Sequence, residues 1–409
     1  MALYASGPPG STSVQADAEH WILTTEAGRD VLQAVSCGRI TPAEVDRLRK
    51  RAPAEAVAAA IRIATAREKG RAKFADADRL WLDPVGLEQA TSEAVARHKA
   101  RRFGGVLAVD LCSGLGGDAL ALAARGPVLA VDLSHDRCRR LAWNAEQLGI
   151  SERILVCRSR AESFSIPAGA WVHVDPDRRA AGVGRARKVA GYVPSLDFLH
   201  GLSETAKAGA IKLGPASDFA AAFPAQDVEI ELISLDGECK EATVWYGEAR
   251  TCRLRATRLP ENVTWTDRDG SPDITLRVPV NEVATFVFDP DPSLSRSGLL
   301  DGFAEAHGLA RIAEGVDYLT ADRVVDSPFL AAFEVRSVHP MDLKRLKGVV
   351  AREGLGPLEI KVRGIDLTPE SLRARLRPPG PSPATLIVAG GPGKARAVLA
   401  RRLPRAAPC

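Results

Sequence analysis

The chain has 409 residues, 45% hydrophobic and 26% charged, which is the balance of a globular protein with two to three domains rather than a fibrous or unstructured one. No apolar run approaches the length of a membrane span, and no charged start leads into an apolar stretch, so neither a spanning helix nor a secretory leader is expected. The net charge of +4 is uneven: residues 331–409 hold 15 Lys and Arg against 6 Asp and Glu, a balance of +9, which leaves −5 for the rest. Such a skew points to a polyanion as partner. The seven cysteines show no C-x-x-C pairing and no spacing with His that would bind metal, so we expect no metal site and a reducing, cytoplasmic setting.

Residues 1–18 are small and polar, and no regular structure is expected there. From Leu23 to about Lys73 the pattern is helical. Thr24 or Thr25 precedes one helix, and Thr41-Pro42-Ala43-Glu44 is a capping box with proline at the first helical position. Val57, Ala60, Ile61 and Ala64 give a helical apolar stripe. Residues 1–79 thus read as an N-terminal tail and helical region. The segment from Trp81 leads into a helix at 93–102, with Gln89-Ala90-Thr91-Ser92 read as its entry in preference to a place above the glycine loop that follows the first strand.

The next stretch, Val106 to Asp118, carries the most information. Val106, Leu107, Ala108 and Val109 form a buried strand. Gly114, Gly116 and Gly117 then allow the backbone to come close to a ligand, and Asp118 begins a helix. Two ligand classes fit this loop. Gly114-x-Gly116-x-x-Ala119 matches the dinucleotide fingerprint. However, Asp110, Leu111, Cys112 and Ser113 intervene before the first glycine. A carboxylate there repels a pyrophosphate and suits an amine or sulfonium cation. The second strand, Val128 to Asp132, ends in an acid spaced to grip a ribose diol, a feature both classes share. Ser134 caps the helix that follows.

The third strand is Ile154 to Cys157 and the fourth is Trp171 to Val174, ending in Asp175-Pro176-Asp177. That ending can serve as a strand-terminating turn or as part of a site. Arg178, Arg179, Arg185, Arg187 and Lys188 follow among glycines, as a basic loop able to hold phosphates or as a solvated surface loop. A helix is expected at 195–208, a fifth strand at 210–215, and an antiparallel pair at 227–234 and 241–246. Beyond residue 250 we expect short strands at 253–259 and 274–280, a turn at Asp289-Pro-Asp-Pro292 and a helix at 299–307. The last part reads as helix 342–353, strand 358–362, helix 369–376, strand 385–388 and helix 394–402. Gly390 to Lys394 lacks the spacing and hydroxyl of a nucleotide-hydrolysing phosphate loop.

The order Asp110-x-x-x-Gly114-x-Gly116-Gly117, strand, Asp132, then a helix with Asn144-Ala145 resembles the class I S-adenosylmethionine-dependent methyltransferases. That resemblance implies an α/β fold: a Rossmann-like, seven-stranded sheet at residues 80–250. It implies S-adenosylmethionine as cofactor, held by Asp110, Cys112, Ser113, Gly114, Gly116, Gly117, Asp118, Asp132 and Leu133. The acid that usually contacts adenine is replaced by Arg160, with Glu162 as its substitute. Asp175 and Pro176 correspond to the acid and carbonyl that orient an acceptor amine, so they are the implied catalytic pair. Asp177-Arg178 departs from the pattern, since the ring that stacks on a base is absent. Arg178, Arg179 and Arg185 are the implied substrate contacts.

Leu358 to Gly364 and Gly390 to Lys394 resemble the THUMP-like domain attached to bacterial methyltransferases, here residues 331–409, with residues 251–330 as a connecting region. THUMP domains proper bind structured RNA. The expected function is therefore methylation of a base nitrogen of tRNA or rRNA, with RNA held by the basic C-terminal domain and no membrane or metal involved. A methyltransferase for a protein or small molecule, and an RNA-binding protein with a drifted catalytic fold, are the alternatives.

Overall fold

A computed structural model describes residues 14–36, 40–177, 191–223, 227–271, 273, 275–390 and 395–404. The chain divides into two compact units, Met1–Glu229 with Ala242–Thr251 and Ile230–Glu241 with Cys252–Cys409.

The first unit opens with helices α1 (Val14–Thr24), α2 (Glu26–Ser36), α3 (Pro42–Arg49) and α4 (Ala54–Gly70). The capping box at Thr41 and Glu44 forms as the sequence predicts. Residues 14–18, expected to lack structure, are helical instead. Ala16, Glu19, Ile22 and Leu23 recur at helical spacing and are buried, so one face of α1 packs into the helical core. Buried Glu19 accepts hydrogen bonds from Trp81 Nε1 (2.9 Å), Arg140 Nη2 (2.8 Å) and Arg62 Nε (3.1 Å). Burial opposes its ionisation, but Arg140 and Trp81 outweigh that and lower its pKa.

The sheet of this unit contains β1 (Ala108–Leu111), β2 (Val128–Asp132), β3 (Ile154–Arg158), β4 (Trp171–Val174), β5 (Ala208–Leu213) and the end of β7 (Glu238–Gly247). Its order is β3-β2-β1-β4-β5-β7. The first five strands run parallel and β7 is antiparallel to β5. Crossover helices α5 (Pro84–Gln89), α6 (Glu93–Phe103), α7 (Gly117–Ala123), α8 (His135–Gln147), α9 (Leu196–Thr205) and α10 (Phe219–Ala222) complete the unit. Strands covered on both faces are mostly apolar, and β1 and β5 are buried along their whole length, Asp110 and Lys212 being their charged exceptions. Gly209 is required in β5, because a Cβ there would lie 1.9 Å from the Val172 carbonyl oxygen.

The seventh expected strand, β6 (Val228–Leu235), runs into the second unit from Ile230. There it pairs in parallel with β8 (Leu254–Leu259), which pairs with β9 (Val263–Thr266). The α/β class is as the sequence implies, while the strand count is not.

A second sheet has the order β11-β12-β10-β13-β16-β15-β14. Its strands are β10 (Phe286–Pro290), β11 (Ala310–Arg311), β12 (Leu319–Ala321), β13 (Leu330–Pro340), β14 (Leu355–Arg363), β15 (Ser382–Ala389) and β16 (Arg396–Arg402). The accompanying helices are α11 (Pro292–Arg296), α12 (Leu300–Ala306), α13 (Leu343–Arg352) and α14 (Pro369–Leu376). Three expectations are corrected here. The segment read as a C-terminal helix is β16, whose Ala397 to Ala400 are fully buried between β13 and β15. Residues 275–279 form no strand, and Val280 makes only an isolated bridge to Arg311. At the expected turn, Asp289 and Pro290 close β10, and Asp291 caps α11 by accepting from the Ser293 amide.

Candidate active site

β1 delivers Asp110 to the carboxyl end of the sheet, and the chain then turns sharply. Cys112, Gly114 and Gly116 all have positive φ (62°, 58° and 94°). Three glycines follow one another for different reasons. A Cβ on Gly116 would strike Leu141 at 2.2 Å, so this glycine lets the loop pack on α8. A Cβ on Gly117 would lie 2.8 Å from the Thr91 carbonyl oxygen, so this one admits the α5–α6 connection. Gly114 has open space around it and lines a cleft. Asp132, at the end of β2, fixes the loop: its Oδ2 accepts from the Gly114 amide (2.9 Å) and its Oδ1 from the Ser134 amide (2.8 Å).

The cleft is open to solvent and is lined by residues of α5, of the turn after β1, and of the segment that follows β4. It brings together Asp110, Cys112, Ser113, Gly114, Gly117, Asp118, Asp175 and Pro176, all selected from the sequence. Gly116 and Asp132 support the loop rather than line the cleft. Leu133, beside Asp132, is an exposed apolar side chain at 57% exposure. Glu162 lies apart from the lining and pairs with Arg160 at 3.8 Å. Arg178, Arg179 and Arg185 lie outside the described residues, as does most of Gly390–Lys394.

Beneath the cleft runs a buried polar network. Asp110 on β1 and His173 on β4 are register partners, with Oδ1 and Nδ1 2.6 Å apart. Lys99 of α6 places Nζ 2.9 Å from Asp118 Oδ1 and 3.3 Å from His173 Nε2. An ammonium can only donate, so a neutral His173 ring would accept at Nε2 and donate Nδ1–H to Asp110, and a protonated ring would keep the bond to Asp110 alone. Thr91 Oγ1 donates to Asp118 Oδ2 at 2.6 Å and accepts from Lys212 Nζ at 2.7 Å. Lys212 also donates to Asp175 Oδ2 (2.6 Å) and to the Gln89 carbonyl (3.5 Å). One chain of hydrogen bonds therefore joins the carboxylate at the loop to the carboxylate at the end of β4.

The network sets the charge states. Burial raises the Asp110 carboxyl above its ordinary range despite His173. Burial and Lys99 act against a charged His173, but Asp118 and Asp110 outweigh them and raise its pKa. Burial also opposes ionisation of Asp118, yet Lys99, His173 and Lys212 prevail and hold it well below the carboxylate range. Burial pushes the Cys112 thiol upward, so it is no nucleophile.

Two buried oxygens that line the cleft, Asp110 Oδ2 and Ser113 Oγ, have no hydrogen-bond partner among the described residues. A buried carboxylate oxygen left unsatisfied is costly unless a ligand completes it. An acceptor oxygen and an open glycine turn fit a cofactor that carries an ammonium and a sugar.

A parallel sheet in this order with an antiparallel β7, a glycine turn after β1 and an acid closing β2 define a Rossmann-like methyltransferase of class I. Comparison with known proteins agrees. Residues 330–402 match the model of the THUMP domain-like family. An uncharacterized S-adenosylmethionine-dependent methyltransferase of Mycobacterium tuberculosis, found in strains CDC 1551 / Oshkosh and H37Rv, is 31% identical over 317 residues, covering 75% of this chain and 84% of the relative. The crystal structure of a methyltransferase-type protein from Porphyromonas gingivalis W83 matches with a TM-score of 0.72 at 19% identity, covering 99% of this chain and 100% of the other. The chain belongs to the S-adenosylmethionine-dependent methyltransferases and ends in a THUMP-like domain. Among the described residues, no helix is long and apolar enough to cross a membrane, and no cluster of His, Cys, Asp and Glu could hold a metal ion.

Sequence reasoning missed Lys99, His173 and Lys212, and for Thr91 it preferred plain helix entry over a place above the glycine loop, where the structure puts it. Signals for the first three exist. Lys99 sits on the apolar face of α6 with Val95, Ala96 and Phe103, and His173 and Lys212 interrupt apolar strands. A charged residue on a buried face needs a partner.

Proposed function

We propose that this methyltransferase acts on a base nitrogen of structured RNA, either tRNA or rRNA. The observation that carries the reading is Asp175-Pro176 at the end of β4, in the same cleft as Asp110 and the glycine turn, with Asp175 held by Lys212. When bound, S-adenosylmethionine supplies an electrophilic methyl group on its sulfonium. Asp110 Oδ2 takes the ammonium of the cofactor's methionine part as a charge-assisted partner, and Ser113, Gly114 and Gly117 let the backbone close on it. Asp132, whose main visible part is to fix the glycine turn, would take the ribose hydroxyls when the cofactor is bound, and Leu133 and Glu162 are assigned to its adenine part. Asp175 and the Pro176 carbonyl accept from the acceptor amine and aim its lone pair, since methyl transfer depends more on alignment than on a strong base.

RNA is favoured as acceptor by the balance of +9 over residues 331–409 and by the THUMP-like match there. Arg178, Arg179 and Arg185 are assigned to its phosphates. We assign methyl transfer to residues 80–250 and RNA binding to residues 331–409, with residues 1–79 and 251–330 as the N-terminal helical and connecting regions. The free cysteines fit a cytoplasmic protein.

In the first test, S-adenosylmethionine raises the melting temperature of the protein, and Asp132→Ala abolishes that shift. In the second, labelled methyl groups are followed into extract from a strain lacking this gene, where label is expected in RNA. Label confined to protein or to small molecules would overturn the RNA assignment while leaving the cofactor site intact.

A further inference from the structure

The C-terminal sheet has two unlike faces. Alternate residues of β14, β15 and β16 point to opposite sides. Leu358, Ile360, Leu386, Val388, Ala397 and Leu399 join Leu346, Val349 and Val350 of α13 and Leu372 and Leu376 of α14 in one core. Ile387, Ala389, Val398 and Ala400 belong to a separate core on the other side. Helices α13 and α14 therefore pack together over one face.

Most cations on the two faces are treated differently, with exposed Arg396 at the start of β16 the exception on the helix-free side. On the side without helices, Lys361 and Arg363 pair with Asp289 (2.7 and 2.9 Å), Arg402 pairs with Glu359, and Arg363 stacks over Tyr318. Those charges are consumed inside the domain. On the helices, Lys344, Arg345, Lys347 and Arg352 of α13, Arg375 of α14 and the capping Arg377 are all exposed. None of these six side chains has a salt bridge or hydrogen bond among the described residues.

Arg377 adds an independent sign. It closes α14 at φ 46° and ψ 61°, the left-handed region where glycine is the ordinary choice and a side chain is strained. An arginine there gives the fold nothing that glycine would not give better.

We infer that the face formed by α13 and α14 is a binding surface for the phosphate backbone of RNA, with the opposite sheet face taking no part. This rests on the RNA reading above and locates it. Six unpaired cations on adjacent helices match a polyanion and read no base, so affinity is set by phosphate contacts and sequence by the active site.

The test uses the full chain and a labelled, unmodified tRNA transcript. Wild-type affinity should fall steeply with salt. Replacing Lys344, Arg345, Lys347 and Arg352 by Ala should weaken binding at least about tenfold at low salt and flatten the salt slope by about 3, given about 0.7–0.9 per phosphate contact. Arg401→Ala, which removes an exposed cation already paired with Glu334, should change affinity less than about twofold. Arg377→Gly should keep or raise the melting temperature and still weaken binding, which a structural role would not produce. If the fourfold variant binds RNA with wild-type affinity and slope, this surface is wrong and the RNA reading stands. If the wild type binds no RNA but binds vesicles of anionic lipid, both fail.

Discussion

Beneath the glycine turn of the first unit, Lys99, Asp110, Asp118 and His173 are buried, with side chains 1–8% exposed. In the second unit, Glu359 and Arg402 form an ion pair on a sheet face with 36% and 46% exposure. Both use a carboxylate and a cation, yet water separates them physically. A buried charge has no solvent to fall back on, so its partner decides whether the fold tolerates it. An exposed pair exchanges one hydration shell for another and gains little. The first arrangement suits a site that must hold its geometry; the second suits a scaffold.

The largest expected effect breaks the buried network. Lys99→Met leaves Asp118 without its nearest cation and should destabilise the protein by about 3–5 kcal/mol in denaturant unfolding. A loss below about 1 kcal/mol would mean that the buried network behaves like the surface pair.

Acid sharpens the same contrast. The folded-state pKa of Asp118 lies well below its ordinary value of 3.8. Its contribution to stability is complete above that value and is lost as pH falls through the folded-state pKa. Denaturation midpoints across the acid range should drop more steeply for wild type than for Asp118→Asn, which should start lower at neutral pH. Parallel profiles would remove Asp118 from the account.

Within the loop, Gly117→Ala should weaken cofactor binding by roughly tenfold, about 1.4 kcal/mol, since the new Cβ meets the Thr91 backbone. Gly114→Ala meets no neighbour and should cost only the left-handed strain of about 1–2 kcal/mol in stability. Calorimetric titration and thermal melts on both variants separate the two. The smallest effect is on the second unit, where Glu359→Gln should change stability by less than about 1 kcal/mol, with salt reducing the difference.

The parallel sheet was legible because its strands are apolar on both faces and its turns carry glycines at fixed offsets. Asp110, Asp132 and Asp175 were legible because strand ends in such sheets point at ligands. Lys99, His173 and Lys212 were not singled out, since each gains its meaning from partners on other helices and strands. The C-terminal strand was misread for a related reason. Ala395 to Leu399 has helical propensity, and only pairing with β13 and β15 makes it a strand.

Glu19 carries a consequence for how the protein can be divided. It grips Arg140, which lies 3.6 Å from Asp83, and Asp83 caps α5, whose residues wall the cleft. The first helix thus works as a keystone for a pocket whose own residues begin more than sixty positions later. A fragment that keeps this support includes α1, and a cut at residue 80 would sever it while keeping the cleft residues.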